Sequence, residues 1–371
     1  MDSITHLFYG GVIAAAIAPR AHRRAALLAG MAINTLPDLD VIPLALFGDP
    51  VAQMTCHRGA THSLLLLPFV AWALWAWFRR RGGRVAEAPQ RWFWVFMLTL
   101  LAHPLIDAFT VYGTQLLWPL PLAPTMWSSL FIIDPLFLLV WMAAFVVAMW
   151  RPTRRVADRA LFAGLVLGFG YLGWSLVAKA MVEREATRTL TAMGLQDAPR
   201  FSVPMPFNTL LWRVVAMTPD GYLEGERSVV ADRGPMRFRS YVSDRAARNA
   251  MADIPSAARL LWFNHHFAKA EVRDGRLILT DLRMGAEPDY TFRFIVAERV
   301  TASVNTAQGP KPATHWRAIR PQQLKWPWDA VGRLREVWIR IWETPDPMLS
   351  PGRAVERASA RCCESGVHAA G

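Results

Sequence analysis

Seven side chains in the first 110 residues are of the types that hold divalent metal. They are His6, Asp38 and Asp40 in NTLPDLD, His57 and His62 in HRGATHS, and His103 and Asp107 in HPLIDAF. Imidazole nitrogen with carboxylate oxygen suits zinc, and also manganese or iron. The set is large enough for one or two ions. Catalytic zinc commonly keeps three protein ligands and one open position. An ion held that way lowers the pKa of water and polarises a carbonyl or phosphoryl oxygen, which is the chemistry of ester and phosphoester hydrolysis.

The residues differ in how easily a plainer role explains them. His6 reads equally as an interfacial histidine, Asp38 and Asp40 as helix caps beside Pro37, and His57 and His62 as ordinary loop residues. His103 and Asp107 are harder to dismiss. Their i,i+4 spacing puts both on one helix face, inside an apolar segment where ionisable groups are costly and usually functional. A carboxylate not fully engaged in ligation, Asp38 or Asp40, is a candidate general base. Gly59 allows a tight turn between the two loop histidines, and Thr61 and Ser63 can hydrogen-bond to carboxylate or substrate. Arg58 is a candidate catalytic group for an anionic substrate such as a phosphate; a salt bridge to Asp38, Asp40 or Asp49 is the competing role. Asp134, before Pro135, reads as a cap, and adjacent His265 and His266 diverge too much for shared ligation.

The elements that position these residues are apolar. Segments 4–18, 25–47, 63–78, 92–109, 130–150 and 160–178 are read as about six membrane spans, with the first the least regular. Arginines cluster after the first span, between the third and fourth, and between the fifth and sixth, whereas 48–62 holds only Arg58 and 110–129 has no Lys or Arg. Positive-inside bias puts the arginine loops in the cytoplasm. All seven candidates then share the outer, periplasmic or extracellular face with residues 181–371, a topology read from arginine alone. The expected location is a membrane of the bacterial inner-membrane type.

Composition agrees. Of 371 residues, 53% are hydrophobic and only 19% charged, and the net charge is +12. Arginines flanking spans account for that charge, and no basic stripe with interleaved aromatics points to nucleic acid. Cys56, Cys362 and Cys363 have no disulfide or zinc-knuckle spacing. The N-terminus lacks a basic region and cleavage site, so no removable signal peptide is expected.

His6, PDLD at 37–40, HRGATHS at 57–63 and HPLID at 103–107 together resemble the YdjM/YbcI-type membrane-bound metal-dependent hydrolases over roughly 1–180. The segment 264–285 also resembles an extension of some members. A more distant likeness is to zinc-dependent phospholipase C-like proteins, through the His103–Asp107 pair, but a second pair of that kind is missing. The resemblance implies a metal hydrolase and names no substrate.

Residues 181–343 read as an extramembrane α+β domain rich in strands, and 344–371 as a disordered tail. Helix continues to about 193. Strands are expected at 210–218, 222–230, 236–243 and 290–300, with a hairpin at 270–283 turning on Asp274–Gly275 and an amphipathic helix at 328–343. The domain is expected to cover the site, recognise substrate or dock a partner. The whole is thus read as a membrane all-α helical bundle of 1–180 followed by a soluble mixed domain, acting on a small-molecule or lipid substrate at the outer face of the lipid bilayer. The rival readings are an ion transporter and an assembly module tied together by metal.

Overall fold

The computed structural model describes residues 1–306, 309–325 and 330–344, with side chains omitted at 302–313 and 330–333. Two helices meet first. In α1 (Ser3–Ile17), the Asp2 carboxylate caps the first turn by accepting from Thr5 N at 2.9 Å. Helix α2 (Arg23–Thr35) returns against it. The two backbones touch where both lack side chains: a Cβ on Gly30 would lie 2.4 Å from Gly10 O, and one on Gly10 2.2 Å from Asn34 Cβ. This is the small-residue contact that lets apolar helices approach closely.

The chain then breaks. Pro37 opens a 3-10 turn, Leu36–Asp40, which runs into α3 (Val41–Phe47) and α4 (Pro50–Cys56). A second 3-10 turn, Ala60–His62, precedes α5 (Leu67–Arg80). Short α6 (Gly83–Glu87) leads into α7 (Pro89–Ala108), a long loop follows, and α8 (Pro135–Trp150) and α9 (Arg155–Ala192) complete the helical part. Gly164 faces Ala144 and Gly168 faces the Trp141 ring, which closes α8 on α9.

Each of the six apolar segments contains a helix, but six independent spans are not supported. Helices α1, α5 and α8 have 15, 14 and 16 residues; at about 1.5 Å per residue they fall short of a hydrocarbon core of about 30 Å. Helix α7 has 20 residues, but Gln90, Arg91, His103 and Asp107 lower its hydropathy. Two helical runs are long and apolar enough by themselves, Arg20–Phe47 and Arg155–Ala192. A third is reached only if Pro50–His62 and Leu67–Arg80, bent by 58°, count as one. Counting apolar residues overstated the spans because most of the helices within the segments are shorter than the hydrocarbon core.

The two ends of the bundle are chemically distinct. At one end Arg23 and Arg20 pair with Asp158, His22 with Glu87, and Arg91 donates to Ile17 O. The candidate metal ligands gather at the other. Between them lie buried Ala14, Leu27, Val95, Phe96 and Leu100.

The C-terminal part is rich in strands. β1 (Arg200–Pro204), β2 (Leu211–Thr218), β3 (Gly221–Ser228) and β4 (Arg237–Val242) form an antiparallel meander in that order. α10 (Arg245–Ala250) and α11 (Pro255–Phe263) follow. β5 (Ala268–Arg273) and β6 (Arg276–Asp281) make the expected hairpin, with Asp274 and Gly275 at φ 52° and 70°. After the small pair β7 (Gly285–Ala286) and β8 (Asp289–Tyr290) come β9 (Arg293–Thr306) and β10 (Gly309–Gln323), giving a second sheet ordered β10-β9-β6-β5. α12 (Ala330–Trp342) ends the described chain apart from a few residues. The expected tail after Thr344, with Cys362 and Cys363, lies outside the described residues.

Helix α9 joins the two parts. It has 38 residues, about 57 Å of helix, and its Ala178, Val182 and Ala186 pack with Trp212 and Val214 of β2 and with Met236, just before β4. The second attachment is Arg283. It pairs with Asp281 at 2.7 Å and donates to Tyr112 O at 2.7 Å and Phe263 O at 3.2 Å. This fastens the loop after α7 to the second sheet.

Candidate metal centre

Four side chains from three elements converge. Asp38 comes from the turn after α2, His62 from the turn before α5, and His103 and Asp107 from adjacent turns of α7. One ligand atom from each lies within 4.8 Å of all the others. His62 Nε2 and His103 Nε2 are 3.0 Å apart. Each is 3.4 Å from Asp38 Oδ1, and they are 3.3 and 3.5 Å from Asp107 Oδ2. Donors about 2.0–2.1 Å from a central ion in a tetrahedron are separated by about 3.3–3.4 Å.

The hydrogen bonds around the four fix which atoms carry protons. Thr61 Oγ1 donates to Asp40 Oδ2 at 2.6 Å, so its oxygen accepts from His62 Nδ1 at 3.0 Å. His103 Nδ1 donates to Asn34 O. A neutral imidazole has one N–H, so both Nε2 atoms present lone pairs to each other and to two carboxylate oxygens. Asp107 Oδ2 is buried with no hydrogen-bond donor. Four acceptors aimed at one point repel unless a cation lies among them, and this donor set fits zinc or a similar divalent ion.

The other candidates surround this group. His6 lies beside it: its ring stacks on His103 at 3.9 Å, its Nε2 is 3.3 Å from Asp107 Oδ1, and its Nδ1 donates to Asn34 Oδ1 at 3.1 Å. Asp107 Oδ1 also takes Arg58 Nη2 at 3.2 Å and the Met1 amine. Arg58 is buried, with Nη1 on Thr110 Oγ1 at 3.0 Å and its guanidinium 4.7 Å from the Tyr112 ring centre. Its left-handed φ of 63° and the adjoining Gly59, where a Cβ would meet Cys56 O at 2.8 Å, form the tight turn expected between the histidines.

His57 and Asp40 form a separate pair. His57 Nδ1 lies 2.7 Å from Asp40 Oδ1, and its Nε2 points toward Asp38 Oδ1 at 4.0 Å. Both are only partly buried, as is Asp38, whereas His6, His62, His103 and Asp107 are inaccessible. Tyr112 presses its ring edge against His57 and donates its hydroxyl to Met54 O at 2.8 Å; burial pushes that phenol well above its ordinary pKa.

Residues 1–182 match the model of the YdjM inner membrane protein family. That part of the chain belongs to the YdjM family. No curated protein and no solved structure matches the chain.

All the ligand candidates thus lie in the YdjM part. Sequence reasoning missed Asn34, which orients two histidines at once, and Thr110, which holds Arg58. Asn34 had a signal, being a polar residue in an apolar run before Pro37; Thr110 had none. Ser63, a candidate for carboxylate or substrate, instead bonds Trp118 O at 2.6 Å. Asp134 caps α8, accepting from Phe137 N at 3.0 Å. His265 donates to Pro124 O at 2.7 Å, and burial holds its pKa below the ordinary value.

Proposed function

We propose that this chain is a membrane-embedded, metal-dependent hydrolase of esters or phosphoesters. The observation that carries the reading is the set of four bare acceptors, Asp38, His62, His103 and Asp107, beside a hydrogen-bonded His57–Asp40 pair that stays accessible. Those four would hold one divalent ion. When bound, it would supply Lewis-acid polarisation of the substrate oxygen and lower the pKa of water. Asp38 is turned toward His62 and His103, which leaves the proton-moving task to His57. Asp40 holds the His57 Nδ1 proton, so Nε2 is free to take a proton from a nucleophile on the exposed side. Arg58 and the Met1 amine fix Asp107. The cluster sits at the end of the bundle opposite the arginine clusters, so positive-inside bias assigns it to the outer face. Leu39 lies between the two aspartates, and Leu39, Val41 and Ile42 are exposed apolar residues at the accessible edge. They favour a substrate with a hydrocarbon portion.

A structural metal is the second reading, favoured by the burial of three of the four donors, since closed four-ligand sites are the structural kind. Transport is disfavoured by the apolar packing between the cluster and the arginine end. The deciding experiment measures metal content and hydrolysis of ester and phosphoester amphiphiles. His57→Ala and Asp40→Asn should retain metal while losing turnover by roughly 10²–10⁴-fold. A metal-loaded wild type inert to every such substrate would favour the structural reading; wild type without stoichiometric metal would defeat both.

A further inference from the structure

A second feature, a basic cleft, lies outside the candidate metal centre. Along α9, Phe162, Val166, Phe169, Gly173, Val177 and Met181 are exposed at steps of three and four residues. That stripe is about 29 Å long, close to a hydrocarbon core of about 30 Å. The same steps continue to Arg184 and Arg188, both exposed. The exposed apolar face of α9 therefore runs into two guanidinium groups within the next two turns.

Those arginines line a cleft of about 380 Å3, with Arg227 and Arg233 from the end of β3 and the loop after it. The acids there are already engaged. Glu185 accepts from Arg188 at 2.8 Å, and Asp232 accepts from Arg340 and from Ser228 N. Arg227 donates to Gly234 O at 2.7 Å. Among the described residues, Arg184 and Arg233 have no hydrogen-bond or ion-pair partner. Beside the cleft, α12 buries Ile341 and exposes Trp338 and Trp342, whose rings meet at 5.8 Å. Tryptophan is enriched where a protein crosses the headgroup layer.

We infer that this cleft binds the phosphate of an anionic lipid headgroup, with Arg184 and Arg233 as its free cations. The tails would lie along the α9 stripe, and the tryptophans would set the depth of the C-terminal part against the bilayer. The site is independent of the metal reading and would stand if that reading failed.

The test uses the full-length protein in detergent, with phosphatidylglycerol, phosphatidylcholine or inorganic phosphate added. Lipid retention is followed by native mass spectrometry and stability by thermal unfolding. Phosphatidylglycerol should be retained in preference and should raise the midpoint. The Arg184→Gln/Arg233→Gln variant, which breaks no bond within the fold, should weaken that binding by about thirtyfold, as expected for two arginines at an anionic surface. Unchanged metal content and midpoint without lipid would show the variant folded. Equal retention of the two lipids, or no effect of the variant, would overturn the inference. Inorganic phosphate matching phosphatidylglycerol would overturn the lipid assignment in favour of a soluble anion.

Discussion

At the scale of single residues, the candidate metal centre is a problem of compensating charge. Asp38 and Asp107 face two unprotonated imidazole nitrogens, and His103 stands between the carboxylates. Replacing His103 with Ala should reduce bound metal from one per chain toward none, measured by elemental analysis. The two acids then lose a common partner in a dry site, and unfolding in denaturant should show a loss of about 3–5 kcal/mol, the scale for breaking a buried charge pair. The ligand types and the i,i+4 pair on α7 were legible in the sequence, because ionisable groups stand out in apolar surroundings. Their division into a tetrad and a His57–Asp40 pair was not. It depends on which ring nitrogen bonds Thr61 or Asn34, and spacing does not encode that. Arg58 illustrates the same limit: its charge was visible, but its pairing with Asp107, and not with Asp38, Asp40 or Asp49 closer in sequence, was not.

At the scale of elements, the cluster depends on how closely α1 approaches α2. Asn34 holds His6 by its side chain and His103 by its carbonyl, and Asn34 lies one turn beyond the Gly10–Gly30 contact. Gly30→Ala would place a methyl on the Gly10 carbonyl. The expected result is a loss of at least about 1–3 kcal/mol, seen as a lower thermal midpoint, with weaker metal retention because Asn34 moves with α2. Helix positions were well marked by apolar runs, and the β5–β6 turn by Asp274–Gly275. Four strands escaped notice: the two-residue β7 and β8, and β1 and β10, for which the reason is physical. β1 and β10 are edge strands carrying prolines, Pro204 in one and Pro310 and Pro312 in the other. An edge tolerates a missing N–H and polar composition, so neither shows the alternation that marks a central strand.

At the scale of the molecule, the YdjM part and the strand-rich part form one connected structure through α9 and Arg283. Metal should therefore stabilise the chain broadly. Chelation should lower stability by about 4 kcal/mol relative to protein kept at a thousandfold excess over its dissociation constant, and added zinc should restore it. A reporter fused after residue 200 should read as external; a cytoplasmic signal there would invert the orientation drawn from the arginines. The general plan, apolar helices followed by a mixed domain, was legible because composition changes sharply near 180. The number of spans was not, because α1, α5 and α8 stop at 15, 14 and 16 residues and α7 carries ionisable groups, which an apolar run does not reveal.

The Arg283 contact also imposes an order of events during synthesis. Its partner carbonyl at Tyr112 precedes it by 171 residues. At about 5–20 residues per second, the wait between making the two is on the order of ten to thirty seconds. Through that interval the loop bearing Tyr112, which borders His57 and Arg58, lacks its clamp while the ligands themselves are already made. A nascent chain thus passes through a stage in which its candidate metal ligands exist but this clamp on their border does not, and a part of the protein made much later supplies it.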